Sequence, residues 1–355
     1  MLPKIIALNT FQLTLISIAV IVALLVILLE IILRASESIN LSKRNEANSR
    51  NIEKQIEECS DLDLAITKLT EQYGHVNSLH TKKIKYQSKD LNFIDGWRAT
   101  TDWISGATSK VFIFGGSTVQ CLEVADHLTI CSHLQRLANQ ALLRYEVQNR
   151  GVSGMTVNAN CVELLKTPLT KSDIVIVYFG ANDSKLDTYF QRAIFPFRFL
   201  PGYIKILGGL RIKLRLRVAE WIWLETVKPA DRTLKNSQTN ARNVDDSLTE
   251  MYQYVTNAGA KFFALLQPNI FTKKTYTNRD LEIYNRSKIN PKIVKLQYNE
   301  YLKALGDKEW FHLTTSAIDT HPNTPYLDWC HVNSSGNSLI ARSIFDIIKG
   351  DFIEK

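Results

Sequence analysis

The chain contains no CxxC pair and no cluster of histidine and cysteine at ligand spacing, so the usual sequence signs of a structural metal are missing. No recognition-helix, zinc-finger or RNA-binding signature accompanies its positive charge, which argues against nucleic acid as a partner. It has no internal repeat and no low-complexity tract. No cofactor is expected. Cysteine is scarce, with five in 355 residues. Cys121 and Cys131 could staple one loop and Cys161 and Cys330 form a second pair, leaving Cys59 over; buried thiols are the alternative for either pair.

The length suits one large or two ordinary domains. The formal charge of +8 is concentrated in two stretches. Lys185–Pro229 has nine Lys/Arg against three Asp/Glu, and Lys261–Lys308 has ten against four. Such clusters favour phosphate, acidic polymers or anionic lipid headgroups; a solvated basic surface is the plain alternative.

Phe11 to Leu29 carries no charge and is dominated by Leu, Ile and Val, long enough to cross a hydrocarbon core of roughly 30 Å. A cleaved signal peptide would have a shorter apolar region and a small-residue exit, whereas this run ends in Glu-Ile-Ile-Leu-Arg34. A buried soluble helix is the remaining alternative. Residues 1–35 are therefore expected to be an uncleaved single-span anchor in contact with membrane lipid. Lys4 stands before the run and Arg34, Lys43, Arg44 and Arg50 after it, an asymmetry that by itself favours a cytoplasmic C-terminal domain.

Residues 36–90 are polar with apolar residues at helical spacing and read as a juxtamembrane helical stalk. From there on, strands and helices alternate. Strands are expected at Lys110–Phe114, Tyr145–Asn149, Asp173–Phe179, Lys261–Gln267 and Trp310–Leu313. Helices are expected at His127–Leu143, Thr156–Lys166, Asp246–Asn257, Asn290–Leu305 and Ser334–Ile348. Asp173–Phe179 is apolar on both faces, as a covered parallel strand should be. The alternation predicts an α/β class, a parallel sheet with helices on both faces and sites at the C-terminal strand ends. Residues 185–243 are too long for one crossover. They contain Phe195-Pro-Phe-Arg-Phe-Leu-Pro201, Trp221-Ile-Trp223 and Arg211-Ile-Lys-Leu-Arg-Leu-Arg217. This basic-aromatic insertion reads as a lid, a membrane-surface patch or an ordinary packed insertion.

Four blocks carry the chemistry. Phe112–Gln120 is a strand breaking into a small-residue turn with Ser117 after it, a nucleophile candidate. Asn149-Arg-Gly-Val-Ser-Gly154 offers a glycine N–H, with Gly151 assigned to the turn. Gly180-Ala-Asn182-Asp183 offers an amide that can donate to an oxyanion, or that caps a helix. Asp328-Trp-Cys-His331 supplies a base and its orienter. His127, His133 and His312 lack such a neighbour pattern, as does His321, which merits attention only for its closeness in sequence. Ser117, Gly154 and Asn182 all follow expected strand ends.

Together the blocks resemble those of the SGNH (GDSL-type) hydrolase family, over about Leu91 to Ile348. Gly116 stands where the family usually has aspartate. An Asp-Gly-aromatic-Arg stretch like Asp95-Gly-Trp-Arg98 precedes the nucleophile in anchored relatives, so the resemblance starts the catalytic domain, 91–355, near Leu91. It implies a three-layer α/β/α, flavodoxin-like core. It implies catalytic Ser117, His331 and Asp328, an oxyanion hole from Ser117, Gly154 and Asn182, and acyl transfer at a carboxylic ester. An acylated glycan or a small ester is then the expected substrate, with deacetylation of a cell-surface or exported glycan the leading role. Glycan O-acetyltransfer, lipid esterase activity and a non-catalytic glycan-assembly role are the alternatives. The resemblance also favours an extracytoplasmic domain. Asn182-Asp-Ser184 is a glycosylation sequon whose glycan would block the oxyanion hole, which favours a bacterial envelope.

Overall fold

The computed structural model describes residues 65–69, 85–107, 109–184, 229–319 and 321–352. The expected anchor, most of the stalk, Cys59 and residues 185–228 of the expected insertion lie outside these. Among the described residues no helix is long and apolar enough to cross a membrane.

The centre is a five-stranded, all-parallel sheet. In chain order its strands are β3 (Ser109–Gly115), β4 (Tyr145–Gly151), β5 (Ile174–Phe179), β6 (Lys261–Leu266) and β7 (Phe311–Leu313), after a short hairpin of β1 (Phe93–Ile94) and β2 (Trp97–Arg98). The spatial order is β4-β3-β5-β6-β7, so the chain runs outward in one direction, returns to the middle and continues in the other. This is the doubly wound, flavodoxin-like order, with its switch point between β3 and β5. Register is continuous across it: Ile113 faces Asn149 on one side and Ile176 on the other. All six residues of β5 are buried, while β4 at the edge alternates buried and half-buried positions.

The helices are α1 (Ser117–Gln120), α2 (Ile130–Gln140), α3 (Val157–Leu164), α4 (Pro229–Asn257), α5 (Asn278–Arg286), α6 (Pro291–Leu305) and α7 (Ser334–Ile348). α7 packs along α2. α3, α4 and α6 are tied to one another: Ser247 donates to Asn158 (2.9 Å), Gln297 Nε2 to the Ser237 carbonyl (3.1 Å) and Asn240 Nδ2 to the Tyr301 hydroxyl (3.1 Å). Right-handed crossovers in this strand order put the two groups on opposite faces of the sheet.

Three elements differ from the sequence expectation. The helix expected over His127–Leu143 is a 3-10 turn, Asp126–Leu128, followed by α2, because Thr129 breaks the run and accepts from Ser132 N as an N-cap. α4 starts at Pro229 rather than Asp246, so the last part of the expected insertion is helix. α5 was not anticipated; its Thr277–Asp280 capping box is local and polar.

The lead-in segment is anchored by Arg98, whose side chain is fully buried. Its Nε contacts Asp126 at 2.6 Å, Nη1 donates to the Cys121 carbonyl (2.8 Å) and Nη2 to the Val124 carbonyl (2.7 Å). Asn92 donates to the other oxygen of Asp126 at 2.6 Å. Beside it, Ala65 and Leu69 from the stalk pack with Tyr86, Leu91 and Phe93 in a small separate apolar cluster. The hairpin thereby fastens the loop that follows α1.

Removing one member of a buried ion pair strands the other. Arg98→Met or Asp126→Ala is therefore expected to cost about 3–5 kcal/mol. Urea unfolding followed by tryptophan fluorescence checks this as a lowered midpoint at unchanged slope.

Candidate active site

Ser117 opens α1 directly after β3. Its cap, Gly116, is extended (φ −91°, ψ −151°), and the Gly116 carbonyl accepts from Val119 N and Gln120 N. The Ser117 N–H is left with no hydrogen-bond partner among the described residues, as first-turn amides are unless something caps them. Next to it, the Thr118 hydroxyl contacts Gln267 Oε1 (3.2 Å) at the C-terminal end of β6.

His331 comes from the far end of the chain, in the loop before α7. Leu327 N donates to the His331 carbonyl, Asn333 N to the Pro325 carbonyl, and Tyr326 bridges Val332. The Asn333 side chain caps α7 by accepting from Gly336 N at 3.1 Å. Within this loop the Asp-x-x-His spacing has a direct geometric meaning. Asp328 Oδ1 accepts from Cys330 N (2.8 Å) and His331 N (2.7 Å), folding the segment back on itself. Oδ2 then meets His331 Nδ1 at 2.7 Å. The opposite ring nitrogen, Nε2, lies 2.7 Å from Ser117 Oγ. With Nδ1 hydrogen-bonded to a carboxylate, the proton belongs on Nδ1 and Nε2 is left to accept. The expected contacts among Ser117, His331 and Asp328 are thus all formed across 214 residues of sequence.

Asn182 sits in the turn after β5. Its Nδ2 donates to the Met155 carbonyl (2.8 Å), which fixes the amide plane and leaves its second N–H. The next residue, Asp183, is fully buried and reaches the same loop: its Oδ1 accepts from Val157 N at 2.8 Å, at the start of α3, and its Oδ2 from Gly180 N at 3.4 Å. Two consecutive side chains therefore tie the loop after β5 to the loop after β4. That second loop carries Gly154, which is exposed, has φ +80° and offers open space around it. Its N–H has no partner among the described residues. Gly116 lies against this tie. A Cβ there would meet Asn182 Nδ2 at 2.4 Å and the Met155 carbonyl at 3.3 Å. Gly151 ends β4 rather than making the turn, and a Cβ on it would meet Gln120 N at 2.4 Å.

One neighbour was not anticipated. Glu123 Oε1 is 3.6 Å from His331 Nε2, and its side chain is 29% exposed. It follows Ser117 by six residues with no motif to mark it. His321 stays outside the site, its Nδ1 facing the Asn323 carbonyl.

The four described cysteines are buried thiols, so neither Cys121–Cys131 nor Cys161–Cys330 is bridged. The Cys121 thiol instead faces the Thr118 carbonyl at 3.0 Å, and burial pushes its pKa up to about 12. Cys330 Sγ lies 3.7 Å from His331 Nδ1. Asp328, Cys330 and His331 form a compact group of potential metal ligands, but both ring nitrogens of His331 are engaged by Asp328 and Ser117.

Charge tunes the pair. Burial opposes the Asp328 carboxylate, but His331 and two backbone donors hold its pKa at about 2. Burial disfavours the His331 imidazolium, and the carboxylates of Glu123 and Asp328 together with the hydrogen bond to Asp328 outweigh it, raising the pKa well above 6.5. Stability from the charged His331 is thus fully present below pH 6.5 and lost as pH rises through the folded value. For Asp328 it is present above about 3.9, the unfolded value, and lost as pH falls toward 2. The histidine ring should titrate above 6.5 by NMR, and Asp328→Asn should move that midpoint down.

No protein-family model matches the chain, and no curated protein matches it. Solved structures resemble the fold. An acetyl xylan esterase, AlAXEase, is 14% identical with a TM-score of 0.42, over 67% of this chain and 99% of that one. A lipase/acylhydrolase from Enterococcus faecalis is 16% identical with a TM-score of 0.42, over 70% of this chain and 99% of that one. Est24, a carbohydrate acetylesterase from Sinorhizobium meliloti, is 12% identical with a TM-score of 0.39, over 68% of this chain and 99% of that one. At these identities and scores the likeness carries no argument, and the reading of the site rests on the contacts above.

Proposed function

We propose that the chain is a membrane-anchored serine esterase that removes acyl groups, foremost O-acetyl, from a cell-surface or exported glycan. The observation that carries this reading is the unbroken relay from Ser117 Oγ through His331 to Asp328, with 2.7 Å at both links. Around it stand two unpartnered backbone N–H groups and a fixed amide.

In this mechanism His331 Nε2 takes the Ser117 proton as Oγ attacks the ester carbonyl carbon. Asp328 holds the ring tautomer and stabilises the imidazolium that forms. The carbonyl oxygen becomes an oxyanion, received by the N–H groups of Ser117 and Gly154 and the second N–H of Asn182. Collapse breaks the ester C–O bond, and the imidazolium gives its proton to the leaving alcohol. Water then attacks the acyl-enzyme, with His331 again as base, releasing the acid and free Ser117. Because the base must be neutral, the raised His331 pKa places the acid limb of the rate profile above pH 6.5.

Ser117→Ala and His331→Ala should each abolish nearly all hydrolysis of p-nitrophenyl acetate, with the double variant little worse, because such groups act as a unit. Asn182→Ala should lower kcat by roughly 10²–10³. Full activity in Ser117→Ala overturns the esterase reading.

The anchor at 1–35 and an extracytoplasmic domain belong to the same proposal. A C-terminal alkaline phosphatase fusion should be active and a green fluorescent fusion dark; the reverse places the domain in the cytoplasm.

A further inference from the structure

The mechanism leaves the carboxylate of Glu123 unused. It sits 3.6 Å from the nitrogen of His331 that faces Ser117, and no hydrogen bond to its side chain is formed within the described residues. Its position is built. Glu123 lies in the turn Cys121–Val124, which is closed by Val124 N donating to the Cys121 carbonyl at 3.4 Å and opens with Cys121 in the left-handed region (φ 52°). Buried Arg98 donates to the carbonyls of Cys121 and Val124, bracketing Glu123 on both sides. A charged side chain on a turn fastened this way is held at its post.

Its place relative to the reaction follows from the proton path. The leaving-group oxygen must come within hydrogen-bond reach of His331 Nε2 to be protonated, whereas the oxyanion is drawn toward Ser117 N, Gly154 N and Asn182. A carboxylate beside Nε2 therefore stands on the alcohol side of the ester, not the acyl side. An ionised carboxylate is an acceptor only. It receives a hydroxyl on the carbon adjacent to the one that bears the ester oxygen and repels a phosphate or carboxylate in that position.

We propose that Glu123 determines specificity for the leaving alcohol, selecting neutral alcohols that carry a second hydroxyl vicinal to the ester and rejecting anionic ones. This rests on the esterase reading above and narrows it: monoesters of vicinal diols, as in sugars and other polyols, fit the site, while esters of phosphorylated or carboxylated alcohols do not.

The test compares three acetyl esters of similar size, using the full-length chain in detergent micelles: 2-hydroxyethyl acetate, 2-methoxyethyl acetate and acetoxyacetate. Specificity is read as ratios of kcat/KM. The unaltered protein should prefer the hydroxyethyl over the methoxyethyl ester by about tenfold, the worth of one hydrogen bond to a charged acceptor. It should disfavour acetoxyacetate by at least another factor of about ten. In Glu123→Gln, which keeps an acceptor but no charge, the penalty on the anion should fall below about threefold while part of the hydroxyl preference stays. In Glu123→Ala both preferences should vanish. An anion penalty unchanged in Glu123→Gln, or equal rates on the hydroxyethyl and methoxyethyl esters by the unaltered protein, overturns the assignment. So does a folded Glu123→Gln protein inactive on all three, which would make Glu123 part of the proton-transfer machinery. If instead the unaltered protein hydrolyses none of the esters, or Ser117→Ala hydrolyses them equally well, it is the esterase reading that fails.

Discussion

The site depends on one buried carboxylate that takes no part in the chemistry. Asp183 is sealed from solvent and still accepts from Val157 N and Gly180 N, two amides in different crossovers of the sheet. Burial raises its pKa to about 6, so at neutral pH an ionised group is kept in a dry place chiefly by those two donors. In return the loops after β4 and β5 become one body. Asn182, beside it, fixes its amide on the Met155 carbonyl, so both side chains hold the same loop. The Asp183 carbonyl in turn accepts from Asn240 Nδ2 at 2.6 Å, so α4 supports the same tie from behind.

The other half of the site is held by a different device. Asp328 uses one oxygen to fold its own loop and the other to hold the His331 ring. Local and catalytic geometry are thus set by the same carboxylate. The nucleophile side relies on Arg98, which lies before β3 in sequence and fastens the loop beyond α1. Three separate polar anchors, each buried or pinned by backbone amides, surround a site whose reacting groups remain partly exposed.

This division explains what the sequence could reveal. The five strands were legible because a parallel sheet covered on both faces demands continuous apolar runs, as in Ile174–Phe179. Ser117, Gly154, Asn182, Asp328 and His331 were legible as ordered motifs, the first three of them at strand ends, though no single one was decisive. The first turns of α4 were not. Its buried face there includes the polar residues Asn236, Ser237 and Asn240, with Asn240 donating to the Asp183 carbonyl and the Ser237 carbonyl accepting from Gln297, so hydrophobic periodicity gives no signal. Glu123 was equally silent, because its importance lies in a turn clamped from 25 residues away, by Arg98. The anchor and residues 185–228 remain readings of composition alone.

Gly116 couples two parts of the site that are far apart in sequence. A Cβ at this position would meet the amide of Asn182 at 2.4 Å, while that amide is itself bound to the Met155 carbonyl. Any side chain at 116 therefore competes with the present seat of the amide and has to push it off its acceptor. The nucleophile turn and the loop after β5 cannot be varied independently: a change in the bulk of one is felt in the other through a single nitrogen atom.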